Sequence, residues 1–315
     1  MSSLYSKLLS IFIILSISAC VPPKEDSVPS DETDVVEAPF GLPPQLSFVM
    51  DYSAMDSPSS KLVTRALGYY DYDGVPMSKV IQDYSSSVPS YATQGLFKVS
   101  NHNFAAARVA GWSLLTTVGM AIPTASFIKA FEVDPTSIGD GKWQWAYSVT
   151  AALKTYNARL IGKVVNDQVT WEMYLSRSDG EFTDVNWYSG AHNVAATSGS
   201  WTIRQRDNST GDVSDFIKID WERDLTAGTR NIRYTNMTND GYIENGISAD
   251  ATFDAYFNID NKDLPAVINI EWNTSDKSGR VRSSNVDRSD HFGHVDWNCW
   301  DTDTAVSPFS DVDCS

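Results

Sequence analysis

Cysteine and histidine are nearly missing from this chain: three and four respectively among 315 residues. That leaves little material for a Cys-His catalytic arrangement or a zinc site of recognised spacing. No phosphate-cradling glycine loop and no nucleophile elbow appear either. Positive charge is also short, with 24 Lys and Arg against 40 Asp and Glu and a formal net charge of −16. That sign argues against nucleic acid and against adhesion to anionic lipid headgroups, since both need basic patches. Long uncharged runs occur in two places. Leu8 to Ser18 is too short to span a bilayer as a helix and has the length of a secretory apolar region. Val109 to Ile128 is interrupted by Gly111, Gly119 and Pro123, which predicts a buried helix broken or kinked at Pro123 rather than a membrane span.

The first run follows Lys7 and closes on Ile17-Ser18-Ala19-Cys20. This string resembles the lipobox of bacterial lipoproteins. The resemblance implies that residues 1–19 are a signal peptide, that the Cys20 thiol takes a diacylglycerol, and that the mature chain begins there. Two acyl chains make a stable anchor where one is marginal, so the membrane is the first expected partner. Val21 stands where retention in the inner membrane calls for aspartate, so the resemblance implies the outer membrane, with the protein facing either the periplasm or the surface. Residues 20–45 are rich in Pro, Ser and acids and read as a disordered, extended tether. In such an exported, oxidising setting Cys299 and Cys314 are most simply a disulfide, which would pin the tail 301–315.

Residues 46–315 read as one α+β domain. From 46 to 140 the pattern is mainly helical, and from 141 to 300 it turns to period two. "WQWAYSV" aligns Trp143, Trp145, Tyr147 and Val149 on one face, and "QVTWEMYLS" does the same with Val169, Trp171, Met173 and Leu175. "SWTIRQR", "DFIKIDWER", "ADATFDAYFNID", "VINIEWN" and "HVDWNC" continue the series, the last setting Val295, Trp297 and Cys299 together. Such alternation marks antiparallel strands with one buried and one wet face, and the links are short and rich in turn formers. The expectation is N-terminal helices packed on a meander of roughly ten strands that curls toward a barrel. This general form resembles exported bacterial lipoproteins with a helical N-terminal part and a Trp-rich meander, bent-sheet carriers of lipids, and lipocalins. The lipocalin G-x-W spacing is met by Gly141-Lys142-Trp143, but after a helix rather than at the start of the fold.

Function then turns on what fills the sheet's concavity. Inward Trp143, Trp145, Trp171 and Trp201 are the candidate contacts for an apolar or lipid-like ligand. If Trp112, Leu114, Leu115 and Met120 fill the interior instead, the chain is a surface interaction protein that meets glycans or envelope proteins through outer aromatics such as Tyr174 and Tyr256. A third reading, a degenerate glycosidase, comes from "KIDWER", which resembles the E-x-D-x-E strand of laminarinase-type enzymes. Lys218 replaces the first carboxylate there, so the nucleophile is missing. Parity sets Glu172, Asp220, Glu222 and Glu271 on the wet face, opposite the tryptophans, where carboxylates stay ordinary. The expectation is therefore not an enzyme. His291 and His294, with Asp301 and Asp303 nearby, are weak metal candidates because no third ligand follows at a recognised spacing, and no cofactor is expected.

Overall fold

A computed structural model describes residues 38–50, 100–106, 108–109, 116, 120–151, 154–250, 252–262, 266–285, 296–302 and 309–314. All of them fall in one compact unit, Glu37–Ser315. The strands are β1 (Thr136–Gly139), β2 (Lys142–Ala151), β3 (Lys154–Val165), β4 (Gln168–Arg177), β5 (Val185–Asn193), β6 (Ser198–Arg206) and β7 (Val213–Asp224). They continue as β8 (Thr229–Asn236), β9 (Tyr242–Ile247), β10 (Ala255–Asn261), β11 (Ala266–Trp272), β12 (Gly279–Asn285), β13 (Asn298–Asp301) and β14 (Ser310–Val312). All 14 join one sheet in chain order, each pairing antiparallel with its predecessor. Nothing but sequential hairpins is needed, and two of the described loops are two-residue turns. Asn166 and Asp167 have φ of 50° and 61°, and Asp140 and Gly141 have 54° and 70°. Positive φ at both central positions matches the twist of the flanking strands.

The alternation read from the sequence is the alternation observed. Along β4, Val169, Trp171, Met173 and Leu175 are buried, and along β7 Ile219 and Trp221 are. Register adds a pattern that period two alone does not contain: the buried indoles face glycines across the strands. Trp143 pairs with Gly162, Gly162 with Trp171, Trp171 with Gly190 and Gly190 with Trp201. Trp272, Gly279 and Trp300 repeat the device at the far side. A Cβ on Gly190 would lie 2.4 Å from Trp201 Cε3, and one on Gly279 would lie 2.3 Å from Trp300 Cζ2. The indoles therefore occupy the volume that side chains at these glycines would need, which fixes the register.

The fold class departs from expectation. Strand makes up 54% of the described residues and helix 12%, so this is an open, almost wholly antiparallel sheet rather than an α+β unit with packed helices. Among the described residues it does not close into a barrel: β1 and β14 are its two edges. Within the described residues the buried face is covered by the irregular chain that carries Phe40, Phe48 and Met50 together with helical residues, Phe104, Val109 and Phe127 among them. Phe48 stacks on Phe127 at 4.8 Å and meets Trp201 edge-on at 5.6 Å. Phe40 meets Trp171 edge-on at 5.5 Å. Polar bonds hold this cover in place: Tyr234 Oη donates to the Phe48 carbonyl at 2.8 Å, and Trp201 Nε1 donates to Ser47 Oγ at 3.4 Å. The segment that carries Phe40 and Phe48 has no period, so its share of the cover is not legible in the sequence.

Two local expectations change as well. The helix α1 (Ala121–Lys129) begins just before Pro123 instead of kinking there, because proline in a first turn removes no intrahelical bond. In β13 the inward residue is Trp300, 2% exposed, whereas Trp297 and Cys299 are only part-buried. The strand starts at Asn298, so its parity is set by pairing with β12 and not by extrapolation from Val295. Cys299 and Cys314 form a disulfide, which by the chain-entropy argument contributes about 3 kcal/mol for a loop of this size. Among the described residues no helix is long and apolar enough to cross a membrane.

Candidate functional site

The four tryptophans proposed as ligand contacts are core residues. Trp143, Trp145, Trp171 and Trp201 are between 1% and 6% exposed, and the chain's own Phe40, Phe48 and Phe127 lie against Trp145, Trp171 and Trp201. Met120 is buried in the same cluster. Trp112, Leu114 and Leu115 lie outside the described residues, as do residues 1–19, Cys20, most of 20–45, His291, His294 and Asp303. Asp301 is exposed at the end of β13, where its carboxylate accepts from the Thr302 amide at 2.7 Å. No metal-competent group of His, Cys, Asp and Glu occurs among the described residues.

On the inner face, His192 lies between Trp171 and Trp221, with ring centroids 5.9 Å and 6.3 Å away. Its Nδ1 lies 2.7 Å from the Asn193 carbonyl, a distance that makes this nitrogen the donor and leaves Nε2 as a lone pair. That Nε2 and the indole N–H groups of Trp171 and Trp221 are buried without partners. Burial lowers the imidazole's pKa, so the ring is neutral at ordinary pH.

The opposite face holds a more accessible site. Glu172, Asp220, Glu222 and Glu271 all lie there, opposite the tryptophans. A groove of about 560 Å³ runs across the ends of β6 to β10 between Ser198, Glu222, Arg223, Arg230, Asn231 and Tyr256. Its construction follows from register. Glu222 pairs with Asn231, Asn231 with Gly246 and Gly246 with Tyr256, so residues spread over 35 positions form one row. Gly246 matters most in it, because a Cβ there would lie 2.5 Å from Tyr256 Cζ. With only hydrogen at 246, the phenol ring lies down across the strand.

Asn231 Nδ2 donates to Glu244 Oε1 at 2.8 Å and also to Tyr256 Oη. Burial, with the negative charges of Glu244 and Glu222 adding to it, pushes the Tyr256 pKa up to about 12. The ring is thus a neutral, immobilised plate at the groove's edge. Asp224 accepts from the amides of Thr226 and Ala227 at 2.8 and 3.0 Å, while Lys218 holds Asp220 at 2.8 Å. Glu222 is exposed in the groove and keeps acceptor capacity toward a ligand. A second depression of about 480 Å³, lined by Lys142, Thr170, Glu172, Ser189 and Ser200, has no outer-face aromatic among its lining residues. Tyr174, the other outer aromatic singled out, is covered by the Arg159 guanidinium at 5.2 Å.

Sequence reasoning named Tyr256 as an outer aromatic and Glu222 as an ordinary outer-face carboxylate, and missed Asn231, Gly246, Arg223 and Arg230. The signal for Gly246 is a glycine inside a strand pattern, which marks a close approach. No family model, curated protein or solved structure matches this chain.

Proposed function

We propose that this chain is a lipid-anchored outer-membrane protein whose outer sheet face recognises glycans. The observation that carries the reading is the Tyr256 ring laid flat over Gly246 beside Glu222 and Asn231. A flat aromatic plate takes the apolar face of a pyranose, and adjacent carboxylate and amide groups take its hydroxyls. The packing of the inner tryptophans against Phe40, Phe48 and Phe127 favours this reading over an apolar ligand held in the concavity. The anchor rests on the lipobox string at Cys20.

The test is a panel of neutral and acidic oligosaccharides, presented to the full chain and to Tyr256→Ala. Binding to at least one of them, weakened roughly tenfold or more by the substitution, is expected. Failure to bind any member would overturn the reading. Cys20→Ser should move the protein from the membrane to the soluble fraction.

A further inference from the structure

We propose, resting on the lipid anchor at Cys20 and independently of the glycan reading, that one rim of the sheet docks on the membrane, seating the β5–β6 and β7–β8 turns among phospholipid headgroups. In a sequential antiparallel sheet alternate turns lie at the same end. The turns β3–β4, β5–β6 and β7–β8 therefore share one rim, and β4–β5, β6–β7 and β8–β9 share the other. Neighbouring strands stand about 4.8 Å apart, so successive tips on a rim follow one another at about 10 Å. The two rims differ in chemistry. On the second, the turns read "SDGEFTD" (178–184), "DNSTGD" (207–212) and "MTNDG" (237–241), each with at least one acid. Exposed Val213 there adjoins Asp212, and exposed Met237 shares its turn with Asp240. On the first, "VAAT" (194–197) and "LTAG" (225–228) carry no charge, and Val164 and Val165 lead into the third turn, Asn166-Asp167. Asp140 and Asp250, in the β1–β2 and β9–β10 turns, bound this apolar stretch. Leu225 and Val194 are 70% and 58% exposed, more than any other large apolar residue described, and Val164 and Val165 are exposed beside them. A single exposed apolar side chain needs no explanation, but a row of them, at turns that are acidic on the opposite rim, marks a contact surface. Ala196 belongs to the same pattern: it sits at φ 51°, a conformation that turns normally give to Gly, Asn or Asp.

The tips are also prepared to leave water, where a backbone group without an internal partner would be costly. In the β5–β6 turn the Thr197 amide donates to Asn193 Oδ1, the Ala196 amide to the Asn193 carbonyl, and Arg223 Nε to the Ala196 carbonyl, each at 2.8 Å. In the β7–β8 turn the Asp224 carboxylate takes the amides of Thr226 and Ala227. The occupant follows from where the tether arrives. Phe40 lies edge-on to Trp171 and would be 2.7 Å from a Cβ on Gly162. Gly162 stands four residues before Asn166, about 13 Å from that tip along the strand. The 20 residues from Cys20 to Phe40 therefore join the body toward the apolar rim, and the lipid that holds Cys20 is the apolar medium nearest to it. Side chains that enter a lipid interface by apolar contact need no basic patch, so the net charge of −16 does not oppose docking on neutral headgroups. Only the tips enter, and the Tyr256 groove, on the outer sheet face behind them, stays open to glycans at the membrane surface.

The experiment reconstitutes the acylated protein in phosphatidylcholine vesicles with brominated acyl chains and attaches a fluorophore to one introduced thiol. Val194→Cys and Leu225→Cys place it on the apolar rim, and Ser209→Cys on the acidic one. With Cys20 acylated and Cys299 bonded to Cys314, the introduced thiol is the one that reacts. Probes at 194 and 225 should shift to the blue and be quenched severalfold more strongly than the probe at 209. Salt should leave this contrast unchanged, because the contact is apolar and not ionic. Leu225→Asp, a change at an exposed tip, should lower the quenching at 194 severalfold. Equal quenching at all three positions would overturn the docked rim while leaving the anchor standing. So would probes at 194 and 225 that are already blue-shifted before lipid is added, with a doubled mass, since a second copy of the chain then covers the tips. A mass spectrum showing Cys20 unmodified would overturn the anchor instead. The same vesicles offered to a Cys20→Ser chain labelled at 225 then decide the rim, with quenching upholding it and silence overturning it.

Discussion

The two faces of the sheet are built from the same strands by the same alternation, yet they solve opposite problems. On the inner face large indoles face glycines and lie against Phe40, Phe48 and Phe127. Polar atoms there are few, and several, such as Trp171 Nε1 and His192 Nε2, go unpartnered. On the outer face the glycine device appears again at Gly246, but it seats a tyrosine whose hydroxyl is part of a network. Salt bridges and amide pairs run beside it, including Arg280 with Glu271 at 2.6 Å and Asn269 with Asn258 at 2.8 Å. One geometric trick therefore serves packing on one side and presentation on the other. Burial decides which, because a flattened ring under a protein layer is core and the same ring beside an open groove is a binding plate.

The comparison is broken most sharply by removing the inner cover. Phe48→Ala takes out a side chain that touches Trp201, Tyr188 and Phe127 and should cost about 3–5 kcal/mol, read from urea unfolding. A cost below about 1 kcal/mol would mean that the segment 38–50 does not hold the inner face. Next comes Gly190→Ala, whose new Cβ would meet the Ser200 carbonyl oxygen and Trp201 at 2.4 Å each. It should lose roughly 1–3 kcal/mol, with near-ultraviolet dichroism reporting the displaced indole. An unchanged midpoint would show that the register tolerates a side chain there.

His192 gives the inner face a pH dependence. The unfolded imidazole takes up its proton near the ordinary value of 6.5, whereas burial keeps the folded ring neutral to lower pH. The unfolded state thus binds more protons below pH 6.5, and stability falls as pH drops through that window toward the folded value. His192→Gln should flatten this slope in denaturation midpoints taken from neutral pH downward. An unaltered slope would assign the acid sensitivity elsewhere. The smallest effect belongs to the outer face: Lys218→Ala removes the partner of Asp220 at 2.8 Å in a solvent-exposed pair and should change stability by less than about 0.5 kcal/mol.

Part of this architecture could be read directly. The inward parity of Trp171, Trp201, Ile219, Trp221 and Trp272 followed from period two, since a strand's faces are set by its own backbone pleat. The outward placement of Glu222 and Tyr256 followed from the same rule. The expected ten or so strands fall short of the 14 among the described residues, because short edge elements such as Thr136–Gly139 and Ser310–Val312 carry too few residues to show a period. In β13 it is Trp300 and not Trp297 or Cys299 that turns inward, because pairing with β12 sets the parity and period two does not carry across a strand boundary. The share of the inner cover that Phe40 and Phe48 supply is not legible in the sequence, because they lie in chain with no repeat to betray them.

By itself, then, the sequence determined which side chains share a face within each strand, where most hairpins turn, and which cysteines could pair. Those are properties of a few neighbouring residues and of the left-handed positions that Asn, Asp and Gly accept. The tertiary structure alone decided what lies over the tryptophans and which residues meet across strands. Asn231, Gly246 and Tyr256 become one row, and Arg223 and Arg230 one rim, solely through inter-strand register. Register is set by packing and by loop lengths between partners, and neither is written in any single stretch of chain.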